Sequence, residues 1–283
     1  FHPAQVDDAG FEAAMEALPA QAAALSAVGC MRCIIWIFPG SDTLTKEENY
    51  ALHKARLSRA AAVLAQYGIR LGLEFIGPYT GRKDKKYTFI YTAEEMLDFT
   101  RRNRDKITCM NISRHPVKYV EESPDQVLGQ IACPTRINCV LYKKYPAEKL
   151  PQYVERFLPY GIPIQFRYDY TETTPKNLYD QDHDPILQDL KRLFTYRGLD
   201  GCRMRNGFHF EYKGLHMTYH KTLPYSTIEE TGDDGVTYDI LYDILIKQNG
   251  EIHSDWTGVK MDVEKYRRVT FEPYDLRVLE GTV

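Results

Sequence analysis

The run CIIWIF at residues 33–38 is apolar without alternation and stops at Pro39–Gly40, the pattern of a parallel strand covered on both faces. SDTLTKEENYALHKARLSRAAAVLAQYG follows, and its polar cap, its apolar residues at helical spacing and its closing Gly68 predict a long amphipathic helix. LGLEFIGP then reads as a second strand. The order repeats: a helix near 93–103, the strand ITCMNIS (107–113), a helix near 123–130, the strand RINCVLY (136–142), a helix over 146–158 and the strand IPIQFRY (162–168). Upstream, residues 9–28 are Ala-rich with apolar side chains at helical spacing, and Pro19 predicts a break between two short helices. Alternating strands and helices predict an α/β fold with a parallel sheet or barrel and helices outside. About five parallel strands fall short of the eight of a closed barrel, so a partial (βα) barrel or an open sheet is expected.

After about residue 195 the pattern changes. FHFEYKG, LHMTYHKT and TYDILYDILIKQNGEIHSDW alternate as antiparallel strands do, and Asn249–Gly250 is a hairpin signal. The chain is therefore divided into 1–100 and 101–195, whose (βα) units are expected to share one sheet, and an appended antiparallel β region over 196–283. The stretch DFTRRNRDK at 98–106 predicts a polar surface connection between the first two. If they share a sheet, Leu73 and Phe75 should lie beside Met110 and Ile112.

Composition narrows the classes of partner. A hydrophobic content of 43% over 283 residues suits one large α/β domain or two small ones. A formal charge of −3 leaves no cationic excess for a phosphate backbone, so nucleic acid is not the expected partner. No apolar run is long enough to span a bilayer, and the first residues lack the basic and apolar segments of a signal peptide, so a cytoplasmic location is expected. The six cysteines lack the density of a secreted disulfide scaffold and are expected to be reduced. Cys30-x-x-Cys33 has redox spacing outside a thioredoxin-like context, and Cys33, at a strand entrance, is read as a core residue.

Candidate chemistry comes from the strand ends. In a parallel barrel the C-terminal ends of the strands converge on one mouth, which singles out Glu74, then Ser113, Arg114 and His115, then Asn138, and finally Arg167 and Asp169. Glu74, His115 and Asp169 together could hold a divalent cation that polarises a carbonyl and stabilises an enediolate. The ordinary alternatives are that Asp169 pairs with Arg167 or Arg136, His115 caps a loop and Glu74 meets a Lys. HFEYKGLHMTYH (209–220) adds three histidines and Glu211 in one hairpin, with His216, Thr218 and His220 on one strand face. Such histidines can bind zinc, but the spacing of structural zinc sites is absent, and hydrogen-bonded strand histidines are the expected outcome.

Residues 11–97, through GCMRCIIWIFPGSD, then AAVLAQYGIRLGLEFIGP, then RKDKKYTFIYTAEEML, resemble the xylose isomerase-like barrel family of sugar phosphate isomerases and epimerases. The strand, the helix and the strand-end Glu come in that family's order. Members hold a divalent metal through a Glu, an Asp, a His and a second Glu on successive strands. The resemblance thus implies Glu74 as catalytic residue and first metal ligand, manganese or magnesium as the metal, and a polyhydroxylated small-molecule substrate. The Asp-bearing strand expected next is missing, and ITCMNISRH stands in its place.

Residues from about 101 to 275, above all KITCMNISRH, RINCVLYKK, GIPIQFRYDY and RGLDGCRMRNGFHFEYKG, are similar to the later strands and C-terminal extension of radical S-adenosylmethionine enzymes. That similarity implies S-adenosylmethionine as a cofactor, bound by Ser113, Arg114 and Asn138. The CxxxCxxC motif that holds a [4Fe–4S] cluster is absent, so no cluster is expected unless its ligands precede Phe1. Three readings stand side by side: an isomerase or epimerase, a radical enzyme fragment, and a scaffold without catalysis. Each is compatible with a fusion, a chimera or a fragment joined near residue 100. Oligomeric state is left open.

Overall fold

The computed structural model describes residues 5–27, 29–77, 79–116, 122–142, 145–168, 181–202, 205–222, 227–231, 234–241, 245–246 and 252–253. The chain forms two compact units, Phe1–Asn103 and Arg104–Val283, whose boundary falls inside the polar stretch 98–106.

In the first unit α1 (Asp8–Ala27), β1 (Arg32–Ile37), β2 (Gly40–Ser41), α2 (Lys46–Gln66), β3 (Arg70–Phe75), β4 (Tyr87–Thr88) and α3 (Ala93–Arg102) follow in order. β1 and β3 pair in parallel from Arg32 opposite Arg70 to Ile37 opposite Phe75, and β2 and β4 form a short antiparallel pair. Thr45 and Thr92 start α2 and α3 with capping boxes closed by Glu48 and Glu95, so the N–H groups of Thr45, Glu48, Thr92 and Glu95 find side-chain acceptors. The expected break at Pro19 does not occur, and α1 runs through it. Anchors on both sides hold it in one piece: Phe11 is buried under the guanidinium groups of Arg56 and Arg59, and Ala22 packs with Leu64 and Ile69.

β1 departs from the expectation of burial on both faces. Cys33, Ile35 and Ile37 pack into the core clusters with Leu57, Leu64, Leu71, Leu73 and Phe75, whereas Ile34 and Trp36 are 70% and 56% exposed. Successive strand side chains point to opposite faces, so one face of this pair carries the core and the other carries Ile34, Trp36, Gly72 and Glu74.

The second unit is built on a six-stranded mixed sheet. Its strands are β5 (Met110–Ser113), β6 (Thr135–Leu141), β7 (Ile164–Tyr168), β8 (Thr195–Cys202), β9 (Arg205–Tyr212) and β10 (Leu215–Thr222), in the spatial order β5-β6-β7-β10-β9-β8. β5, β6, β7 and β10 run parallel, while β9 and β8 are antiparallel to their neighbours. The hairpin that the sequence places in an appended region is thus part of this sheet, through the pairing of Met217–His220 with Ile164–Arg167. Leu73 and Phe75 lie in the β1–β3 pair, and Met110 and Ile112 lie in the six-stranded sheet, so these four residues do not sit side by side in one ladder.

Helices α4 (Leu150–Glu155) and α5 (Pro185–Leu193) supply Leu150, Tyr153, Val154, Leu187 and Leu190 to a core with Ile137, Cys139, Phe166, Phe208, Met217 and Tyr219. Where helices were expected at 123–130 and 146–158, the chain forms a 3-10 turn at Asp125–Gln130 and the broken run Ala147–Lys149, α4 and Leu158–Tyr160. Pro146, Pro151 and Pro159 interrupt the backbone hydrogen bonding there, and Gly161 ends the run at φ 60°. Two further antiparallel pairs follow, β11 (Thr227–Thr231) with β12 (Thr237–Leu241) and β13 (Leu245–Ile246) with β14 (Ile252–His253). Asn249–Gly250 lies outside the described residues, between β13 and β14.

Candidate functional site

Glu74 is the next-to-last residue of β3 and stands directly across from Trp36 of β1. Its carboxylate is exposed and makes no hydrogen bond or ion pair among the described residues, the expected Lys partner included. Ile34 lies against the β3 backbone at Gly72, where a Cβ would meet Ile34 Cγ1 at 3.4 Å, an ordinary van der Waals contact. The result is a patch with an apolar floor of Ile34 and Trp36 and a single carboxylate at its edge. At this face the exposed part of an aromatic ring can lie against an apolar surface of a small molecule while the carboxylate accepts from its hydroxyls.

Ser113, Arg114, His115 and Asn138 meet at the ends of β5 and β6. Ser113 is the register partner of Asn138, and the Arg114 N–H donates to the Asn138 carbonyl at 3.0 Å. The Arg114 guanidinium is buried and turned toward the following loop. Its Nη2 donates to Ser123 Oγ at 2.8 Å, and its Nε lies 3.6 Å from Asp125 and 4.0 Å from Glu122. Arg156 closes the network on Asp125 at 2.8 Å and Glu122 at 3.3 Å, and hydrogen bonding to Asp125 raises its pKa further. His115 donates its backbone N–H to Glu122 Oε1 at 2.7 Å, the loop-capping position. Tyr153 donates its hydroxyl to the Arg114 carbonyl at 2.9 Å, and burial pushes the neighbouring Cys139 thiol up to about 12. This cluster therefore ties the β5 loop to α4. Asn138 Oδ1 is a buried acceptor without a hydrogen-bond partner among the described residues.

The proposed metal ligands are not brought together by any described contact. Glu74 belongs to the first compact unit and His115 to the second, and Asp169 lies outside the described residues. Arg136 donates to Asn111 at 3.0 Å, and Arg167 is exposed. Among the described residues no group of three or more His, Cys, Asp or Glu is placed to hold one metal ion. Cys30 is an exposed thiol and Cys33 a half-buried one, whose pKa is raised by burial and then by its neighbour. A thiol held in its protonated form packs rather than attacks.

Two other polar clusters lie on β9 and β10, and the sequence marked the hairpin histidines but not the pairing of Lys221 with Asp184. At the C-terminal end of β10, Lys221 Nζ lies 2.9 Å from Asp184 Oδ2 and 5.3 Å from the Tyr168 ring centre, and Tyr219 donates to the same carboxylate at 3.1 Å. On the other face of the hairpin, His209 and His216 touch through Nδ1 and Nε2 at 3.1 Å. No helix among the described residues is long and apolar enough to cross a membrane. No protein-family model matches this chain, and no curated protein matches it.

Proposed function

We propose that this chain is a cytoplasmic sugar isomerase- or epimerase-like protein, a partial barrel in which Glu74 binds a divalent cation together with a polyhydroxylated small molecule. The observation that carries the reading is the Glu74 carboxylate, exposed and without a partner among the described residues, across from the exposed Trp36 ring. The donor set at this face is one carboxylate, and it suits magnesium or manganese, which keep most of their waters and bind through one or two carboxylates plus substrate oxygens. A cation there would polarise the carbonyl of a ketose. Trp36 and Ile34 orient the sugar, and Glu74 fixes the edge at which its hydroxyls stand.

The test is a manganese titration followed by electron paramagnetic resonance. Glu74→Gln is expected to weaken the bound signal by about tenfold or more, on the scale of a lost charged ligand. An unchanged titration would overturn the role of Glu74. Turnover of a ketose or inosose that chelator abolishes would exclude the scaffold reading.

Asn138 favours a second reading, a fragment of a radical S-adenosylmethionine enzyme. A buried amide oxygen without a donor is costly, and the exocyclic amine of an adenine ring would satisfy it beside Ser113. Arg114 in its present pairing supports the loop rather than the ligand. Equilibrium dialysis with S-adenosylmethionine, against Asn138→Ala, tests this reading separately.

A further inference from the structure

The hairpin β9–β10 is closed by Lys213 and Gly214, both at positive φ, 49° and 82°, between the paired residues Tyr212 and Leu215. Positive φ at both central positions is the geometry of the two-residue turn that matches strand twist, so the register is firmly set. It places Thr218 opposite His209 and His216 opposite Glu211. His209 and His216 are therefore diagonal neighbours on the face that points away from the core residues Phe208, Phe210, Met217 and Tyr219. The hairpin is held on both sides, by β8 and by β7.

We propose that His209 and His216 form a two-imidazole site for a divalent transition-metal ion, ligated through His209 Nδ1 and His216 Nε2 and completed by water. The two nitrogens are 3.1 Å apart, with ring centres 5.3 Å apart. Nitrogens about 2.0–2.1 Å from one ion stand roughly 2.9–3.4 Å apart between square-planar and tetrahedral angles, so the separation needs almost no adjustment. His209 Nε2 lies 2.9 Å from Asp200 Oδ2, the carboxylate-to-imidazole contact that fixes the tautomer of a metal-binding histidine. With Nε2–H donated to Asp200, His209 Nδ1 carries a lone pair, and without metal it accepts from His216 Nε2–H. On metal binding that proton moves through solvent to His216 Nδ1, so a neutral pair takes up the ion with no net loss of protons.

Gly207 belongs to the same construction. A Cβ there would come within 2.7 Å of Asp200 Oδ1 and 2.9 Å of His220 Cε1. The missing side chain lets Asp200 and His220 approach the backbone, with Asp200 turned to His209. Imidazole nitrogen suits zinc, copper and nickel, whereas Glu74 offers hard oxygen for magnesium or manganese, so the two sites differ in metal class.

The experiment is a titration of the whole chain with zinc by calorimetry and with cobalt by absorption. The expected result is one site that His209→Ala or His216→Ala each weakens by tenfold or more, that Asp200→Asn weakens by about tenfold, and that Glu74→Gln leaves alone. The cobalt form should show d–d bands without a thiolate charge-transfer band, which separates this site from the exposed Cys30 and Cys109. Circular dichroism of each variant checks that the hairpin has folded. Absence of zinc binding, or equal binding by a folded double variant His209→Ala/His216→Ala, would overturn the site.

Discussion

Asp184 receives four contacts: the N–H groups of Ile186 and Leu187 at 3.0 Å each, the Tyr219 hydroxyl and the Lys221 ammonium. Its side chain is 1% exposed and that of Lys221 3% exposed. Two buried charges persist only because pairing and hydrogen bonding offset the water they lose. Removing one partner leaves the other stranded. Asp184→Ala is expected to lower unfolding stability by about 3–5 kcal/mol, read from urea denaturation, because it also uncaps α5. Lys221→Met should cost less, since Asp184 keeps three donors and the methionine fills the same space. Equal losses would show that the cap contributes nothing. Asp184 was legible in principle: a carboxylate directly before Pro185 is a helix-start pattern. Lys221 was not, because its partner lies 37 positions away and only the pairing of β10 with β7 brings it to the sheet's C-terminal edge. Arg114 shows the converse. Its strand-end position was correct as a place, but the guanidinium turns to Ser123 and Asp125, and no local pattern specifies which way a long side chain will turn.

At the scale of elements, the strands follow the apolar runs closely. CIIWIF became β1, LGLEFIGP β3, ITCMNIS β5, RINCVLY β6 and IPIQFRY β7, with shifts of a few residues at the ends. Which face each strand would bury was the less legible part. An unbroken apolar run does not mark a preferred side, and in β1 the helices cover the side of Ile37 rather than that of Trp36. The two faces should respond differently. Ile37→Ala, which empties a fully buried position, is expected to cost about 2–5 kcal/mol, whereas Ile34→Ser, on the exposed side, should stay within about 0.5 kcal/mol. Thermal melts of both variants read the difference, and a large loss at Ile34 would mean that its face is covered in solution.

At the scale of the whole molecule the chain has two compact units with separate core clusters, one around Ile37, Phe89 and Ile90 and one around Ile137, Phe166 and Tyr219. Residues 103–106 between them are turns rather than helix or strand, and the surrounding stretch holds Arg101, Arg102, Arg104 and Lys106. Backbone in turns enters a protease cleft more readily than backbone in ladders. Brief trypsin treatment is therefore expected to cut at Arg104 or Lys106 and leave fragments close to the two units, identified by mass. Cutting elsewhere first, with this connection intact, would count against independent units.

The sequence by itself determined where the strands β1, β3, β5, β6 and β7 and the helices α2 and α3 form, because apolar periodicity and caps act within a few residues of the chain, but not the unbroken α1 or the 3-10 turns at 125–130, 147–149 and 158–160. It determined the polar connection near residue 100 and the candidate positions at the strand ends for the same reason. Tertiary structure alone decided the company those positions keep. Glu74 faces Trp36 through the β1–β3 register, His209 meets His216 across a hairpin diagonal, and the β9–β10 hairpin joins the parallel strands through β7. The first and third are long-range pairings, whose loop-closure entropy must be offset by the core as a whole rather than by any local motif, while the His209–His216 diagonal follows from the local Lys213–Gly214 turn.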